Sequence, residues 1–134
     1  MSAFFDSNVL IYAYSSDARR DRALATIAGG GVISVQVLNE FTNVLRKKQK
    51  QDWPVIEAAL QTVRFRFPDI MPLTADTHAA AIAVARDHHL SFYDALIVAS
   101  AIEAGCDTLC SEDLQHGGVI AGLRIKNPFI QDAP

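Results

Sequence analysis

The sequence predicts an α/β fold: a three-layer α/β/α sandwich around a central parallel sheet of four to five strands. Two observations carry this. Short apolar runs alternate with helix-like segments along the chain. Those runs lack the polar alternation of a half-exposed strand, as expected of parallel strands covered on both faces. A third observation sets the organisation. No repeat, linker or low-complexity segment interrupts the 134 residues, so residues 1–134 read as one domain.

The elements follow in order. "AFF" (3–5) reads as a short buried strand. Asp6 comes next, and "SNVLIYAY" (7–14) reads as a first helical turn or two. "DARRDRALATIA" (17–28) is a helix stopped by Gly29, Gly30 and Gly31. "VISV" (32–35) is a buried strand and "VLNEFTNVLRKKQ" (37–49) a helix. The helix over 53–67 has Pro54 in its first turn, where a missing N–H costs nothing, and Pro68 ends it. "IMPL" (70–73) is a strand. Residues 75–89 and 92–104 are consecutive helices, the second apolar nearly all round and so expected to be buried. "TLC" (108–110) is a strand, and 119–129 holds a weak last one.

Composition narrows the class. Half the residues are apolar and a fifth charged, with a net charge of −3. This suits a globular protein and gives no global basic signal for nucleic acid, although local patches matter more than totals. No apolar run approaches the roughly 20 residues of a membrane span, and the first residues lack the basic start of a signal peptide. Two cysteines, Cys106 and Cys110, are too few for a disulfide scaffold and have no companion ligands for zinc. Both read as reduced small hydrophobes in a cytoplasmic protein.

Asp6 poses the chemical question. It sits in the most apolar run near the N-terminus, "FFDSNVLIYAY". A buried carboxylate needs compensation from a helix N-terminus, a basic side chain or a metal ion. In a parallel sheet, ligands bind outside the carboxyl ends of the strands. Asp6 follows the first strand and Asp113 a later one. Glu40 lies a turn into the helix after "VISV", at the border of its apolar stripe, and Asp94 lies in the first turn of the buried helix. Each has a plain structural reading. Asp94 completes a capping box with Ser91, Glu40 is a half-exposed helix residue, Asp113 belongs to a loop or cap, and Asp6 caps the helix after it. As a set they are harder to dismiss. Two like charges about 4 Å apart repel by about 4 kcal/mol at an effective dielectric of 20. A divalent cation resolves this, and all-oxygen ligands suit Mg²⁺ or Mn²⁺.

"FFDSNVLIY", Glu40 after the second strand, "YDALIVASA", "LCSEDLQHG" and the closing "GLRIKNPF" together resemble a PIN domain. More narrowly, they resemble the VapC-type toxin nucleases of bacterial and archaeal toxin–antitoxin pairs. The resemblance covers nearly the whole chain and implies a PIN-like fold. It implies an Mg²⁺- or Mn²⁺-dependent endoribonuclease that hydrolyses RNA phosphodiester bonds with a metal-activated water. It also implies a homodimer and an inhibitory antitoxin protein. The family's acidic quartet falls on Asp6, Glu40, Asp94 and Asp113. Asp6, Asp94 and Asp113 are then metal ligands, direct or through water, and Glu40 is a ligand or orients the water. Ser111 and Asn8 fix the carboxylates. Gln115 and His116 stand where some relatives carry another acid.

Other features have two readings. "RKKQK" holds Arg46, Lys47 and Lys48, which are either a solvated helix end or contacts to RNA phosphates. Arg64, Arg66 and Arg86 are weaker candidates. His78, His88, His89 and His116 form no metal-ligand pattern. Trp53, Phe65 and Phe67 suit a dimer or antitoxin surface, or the core. A haloacid-dehalogenase-type site is excluded because Asn8 stands where its second Asp is required. A receiver domain fits poorly, because Thr74 follows "IMPL". The remaining alternative is a PIN-fold RNA- or protein-binding module without catalysis, against which all four acids argue.

Overall fold

The computed structural model describes residues 2–130. Six strands and six helices alternate: β1 (Ala3–Phe5), α1 (Ser7–Ala13), α2 (Arg20–Ile27), β2 (Ile33–Ser34), α3 (Val35–Lys47), α4 (Trp53–Arg66), β3 (Ile70–Met71), α5 (Ala75–His88), α6 (Phe92–Glu103), β4 (Thr108–Cys110), β5 (Val119–Ile120) and β6 (Leu123–Lys126). The sheet is flanked by the helices as a three-layer α/β/α sandwich.

One sheet has the order β1-β4-β6-β5 and the other pairs β2 with β3. A parallel bridge between Phe4 and Val32 joins them, through Phe5 N–H to Val32 O at 3.1 Å and Val32 N–H to Ala3 O at 2.9 Å. From β1 the chain runs out to β2 and β3, then returns to β4 on β1's other side. The gap between β1 and β4 at their carboxyl ends is therefore a topological switch point.

The sheet is mixed rather than purely parallel. The weak last strand expected over 119–129 is a hairpin, with β5 antiparallel to β6. Ala121 and Gly122 make its two-residue turn, both with positive φ (49° and 84°), as the right-handed strand twist favours. An Ala-Gly pair is a weak signal for such a turn, so the sequence did not reveal it. Differences elsewhere are in element ends. α3 begins two residues earlier than expected, because Ser34 is both the last residue of β2 and the N-cap, accepting from Val37 N–H.

The core is built from both sheet faces. Phe4, Phe5, Leu109 and Ile125 from the strands pack with Val9, Leu10, Phe41 and Ile97 from the helices. Phe67 belongs to this core, edge-on to Phe5 at 5.7 Å, whereas Phe65 is exposed and Trp53 half-exposed. α6 is buried without a break from Ala95 to Ala101, in keeping with its all-round apolar sequence. Cys106 and Cys110 are free and buried. Among the described residues, no helix is long and apolar enough to cross a membrane.

Candidate active site

Parallel pairing of β1 with β4 places Phe5 opposite Cys110, so the next residues, Asp6 and Ser111, emerge side by side. Asp6 N–H continues the ladder to Cys110 O at 3.0 Å, and Ser111 N–H does the same to Lys126 O at 3.0 Å. Both side chains are buried. The Ser111 hydroxyl donates to Asp6 Oδ2 at 2.7 Å and accepts the Asp113 N–H at 3.1 Å. Asp6 Oδ1 accepts the Ser7 N–H at 2.7 Å, which caps α1.

The compensation for Asp6 thus includes a helix N-terminus and a hydroxyl, but no basic side chain. No Lys or Arg makes a salt bridge to Asp6, Glu40, Asp94 or Asp113 among the described residues. The compensation is incomplete. Burial pushes the Asp6 carboxyl up from 3.8 to about 7, against the lowering effect of the Ser111 and Ser7 hydrogen bonds. The negative charges of Glu40 and Asp113 add to the rise.

Asp94 enters from the first turn of α6 and Asp113 from the loop after β4. One carboxylate oxygen from each of Asp6, Asp94 and Asp113 lies within 4.8 Å of the others. Asp6 is buried, Asp94 half-buried and Asp113 exposed. Burial raises the Asp94 carboxyl, with the Asp113 charge adding and the Ser91 hydroxyl opposing. Ser91 caps α6 by accepting the Asp94 N–H at 3.3 Å. Asp94 thus serves the helix with its backbone while its carboxylate joins the acidic cluster.

Asn8 holds Asp113 in place. Its amide donates to Asp113 Oδ2 at 3.1 Å, and its carbonyl accepts the Glu112 N–H at 3.3 Å. Glu40 stands outside the trio, one hydroxyl away. Ser7 Oγ donates to Glu40 Oε1 at 2.8 Å and reaches Asp6 Oδ1 at 3.4 Å. Gln36, buried one turn earlier on α3, donates to Glu40 Oε2 at 3.1 Å. Ser7 and Gln36 thus belong to the site, although nothing in the sequence singled them out beyond the i, i+4 spacing of Gln36 and Glu40.

Three of the four acids, Glu40, Asp94 and Asp113, line one depression of about 510 Å³ together with Ser7 and Asn8, whereas Asp6 is buried and does not line it. Lys48 lines it too, bringing one cation of the basic run to the acidic edge. Arg46 is directed elsewhere. Its guanidinium donates to Gln51 O at 3.1 Å and lies over the Trp53 ring at 4.9 Å. Lys47 is exposed and does not line the depression. His116 accepts the Asn127 N–H through Nδ1 at 3.0 Å.

The three carboxylates fit a hard divalent cation. They offer only oxygen, converge from three elements and have no protein cation between them. Burial disfavours the charged form of Asp6, and a cation held beside it would stabilise that charge.

Solved structures with the same fold include VapC20, a sarcin–ricin-loop-cleaving toxin of Mycobacterium tuberculosis. It has a TM-score of 0.67 and 22% identity, over 84% of this chain and 92% of that one. A toxin–antitoxin complex from Klebsiella pneumoniae has a TM-score of 0.73 and 21% identity, over 96% and 98%. VapBC2 from Rickettsia felis, bound to a DNA fragment from its promoter, has a TM-score of 0.68 and 19% identity, over 95% and 98%. None of the curated proteins compared matches the sequence. The family model of the PIN domain matches residues 3–117, from the first strand through the loop that carries Asp113, and the chain therefore belongs to the PIN domain family.

Proposed function

We propose that the protein, with residues 1–134 acting as one domain, is an Mg²⁺- or Mn²⁺-dependent endoribonuclease, the toxin of a toxin–antitoxin pair. The observation that carries this is the convergence of Asp6, Asp94 and Asp113 at the switch point of a PIN fold. The likeness to solved VapC toxins and toxin–antitoxin complexes supports the toxin reading and an antitoxin partner, and the family resemblance of the sequence implies a homodimer.

Asp6, Asp94 and Asp113 would hold the cation. Bound there, it would supply an activated water and offset negative charge on the phosphate. The chain's own residues do the rest. Asn8 and Ser111 hold Asp113 and Asp6 at fixed positions, which second partners of metal ligands are known to do at a gain in affinity. Glu40, gripped by Ser7 and Gln36, orients the attacking water and can take its proton. Lys48 attracts the RNA backbone to an otherwise acidic depression.

The test is cleavage of RNA by the pure protein in Mn²⁺, Mg²⁺ or EDTA, with mapping of the product ends. Expected are metal-dependent cuts leaving 5′-phosphate and 3′-hydroxyl ends. Cyclic 2′,3′-phosphates would overturn the water mechanism. Absence of cleavage under all three conditions would favour the binding module without catalysis.

A further inference from the structure

Beside the acidic depression lies a second one, of about 550 Å³, lined by Gln36, Asn39, Glu40, Asn43 and Tyr93. The two share Glu40 and Asn43. Tyr93 directly precedes Asp94 in the first turn of α6. The seven residues from Ala95 onward are buried, yet Tyr93 is 62% exposed. Its aromatic ring is therefore open to solvent in a depression that shares Glu40 and Asn43 with the acidic one.

The rest of the lining is carboxamide. Asn39 donates to Gln36 Oε1 at 3.4 Å, Gln36 donates to Glu40, and Asn39 keeps its own carbonyl oxygen and a second N–H. Asn43 makes no side-chain hydrogen bond among the described residues, so its donor and acceptor are both available. Neither Lys nor Arg lines the depression, and Glu40 is its one ionisable acid. Such a lining repels phosphate. It suits a flat, neutral ligand with donors and acceptors along its edge. Nucleobases have that chemistry: single-stranded nucleic acids stack bases on exposed aromatic rings, and Asn or Gln reads base edges with paired donor and acceptor.

We propose that this depression is a nucleobase subsite, in which the base next to the scissile phosphate stacks on Tyr93 and is read at its edge by Asn39 and Asn43. The inference rests on the endoribonuclease reading above. With the phosphate at the acidic cluster, the shared wall of Glu40 and Asn43 sets the step from phosphate to base. The subsite gives the enzyme a base preference at one position of its cut site, which the acidic cluster alone cannot supply.

The experiment compares wild type with Tyr93→Phe, Tyr93→Ala and Asn43→Ala. Binding of a short 5′-fluorescein-labelled single-stranded RNA is followed by anisotropy in EDTA. The same RNA carries an abasic residue at successive positions. Cleavage in Mn²⁺ gives KM, kcat and the cut-site map. Tyr93→Ala should raise Kd and KM roughly tenfold with little change in kcat, while Tyr93→Phe stays near wild type. One abasic position should weaken the wild type as much as Tyr93→Ala does, and add nothing to that variant. Asn43→Ala should flatten base preference at one cut-site position. If wild type cleaves RNA while Tyr93→Ala keeps Kd and KM within about twofold, the subsite is wrong and the nuclease reading stands. If wild type cleaves no RNA, the nuclease reading fails and the subsite with it.

Discussion

Asp6 is held by the Ser111 hydroxyl and the Ser7 backbone N–H, yet burial still lifts its carboxyl to about 7. The folded chain thus binds this proton more tightly than the unfolded chain, where the same group titrates near 3.8. The stability linked to it is fully present below that value. It is lost as pH climbs from there through about 7, a few kcal/mol in all. In EDTA, wild type should therefore melt at a lower temperature at pH 7.5 than at pH 5, within the window about those pKa values. Asp6→Asn keeps the Oδ1 acceptor for Ser7 and stays neutral, so its melting temperature should depend less on pH and exceed wild type at the upper end. A wild-type melting temperature that rises across this window would contradict the assignment. The apolar flanks made the predicament of Asp6 legible in the sequence. Ser111 entered only through the family resemblance, and its pairing with Asp6 in particular only through the fold, since that hydroxyl is 105 residues away.

α3 shows how one helix separates residues that are adjacent in sequence. "RKKQK" reads as a single basic run, but successive residues on a helix point about 100° apart. Lys48 faces the acidic depression, while Arg46 turns to Gln51 O and the Trp53 ring and so ties α3 to the start of α4. Lys48→Ala should weaken RNA binding and flatten its salt dependence by about one phosphate contact. Arg46→Ala should leave the salt slope nearly intact. Titrations of labelled RNA across a salt series separate the two, and equal slopes for both variants would remove Lys48 from the interface. A second element-level constraint lies at Gly31, which leads into β2. A Cβ there would come within 2.5 Å of the Phe5 ring and 2.6 Å of Ala3 O. Gly31→Ala should cost about 1–3 kcal/mol by overpacking against β1, read as a lower denaturation midpoint with an unchanged m-value. The "GGG" stretch announced the end of a helix; only the strand beside it reveals which glycine has no room for a side chain.

Across the whole molecule, the fold and the carboxylate trio make one thermodynamic statement. If Asp6, Asp94 and Asp113 hold a dication only when folded, Mn²⁺ stabilises the protein by mass action, by about 2.7 kcal/mol at a hundredfold excess over Kd. Thermal melts should show a rise in wild type and smaller rises for Asp94→Asn and Asp113→Asn. Equal rises in all three would place the cation elsewhere. The sequence by itself determined the alternation of strands and helices, the burial of α6 and the four acids that fall near strand ends, because periodicity and apolar flanks are local properties of the chain. Only the tertiary structure decided which side chains meet. The β1–β4 register sets Ser111 against Asp6, the return of α3 brings Glu40 to Ser7 and Lys48 to the depression, and the β5–β6 turn makes the sheet mixed. These contacts join segments up to a hundred residues apart. Strand pairing and helix packing fix them, and no window of sequence contains either.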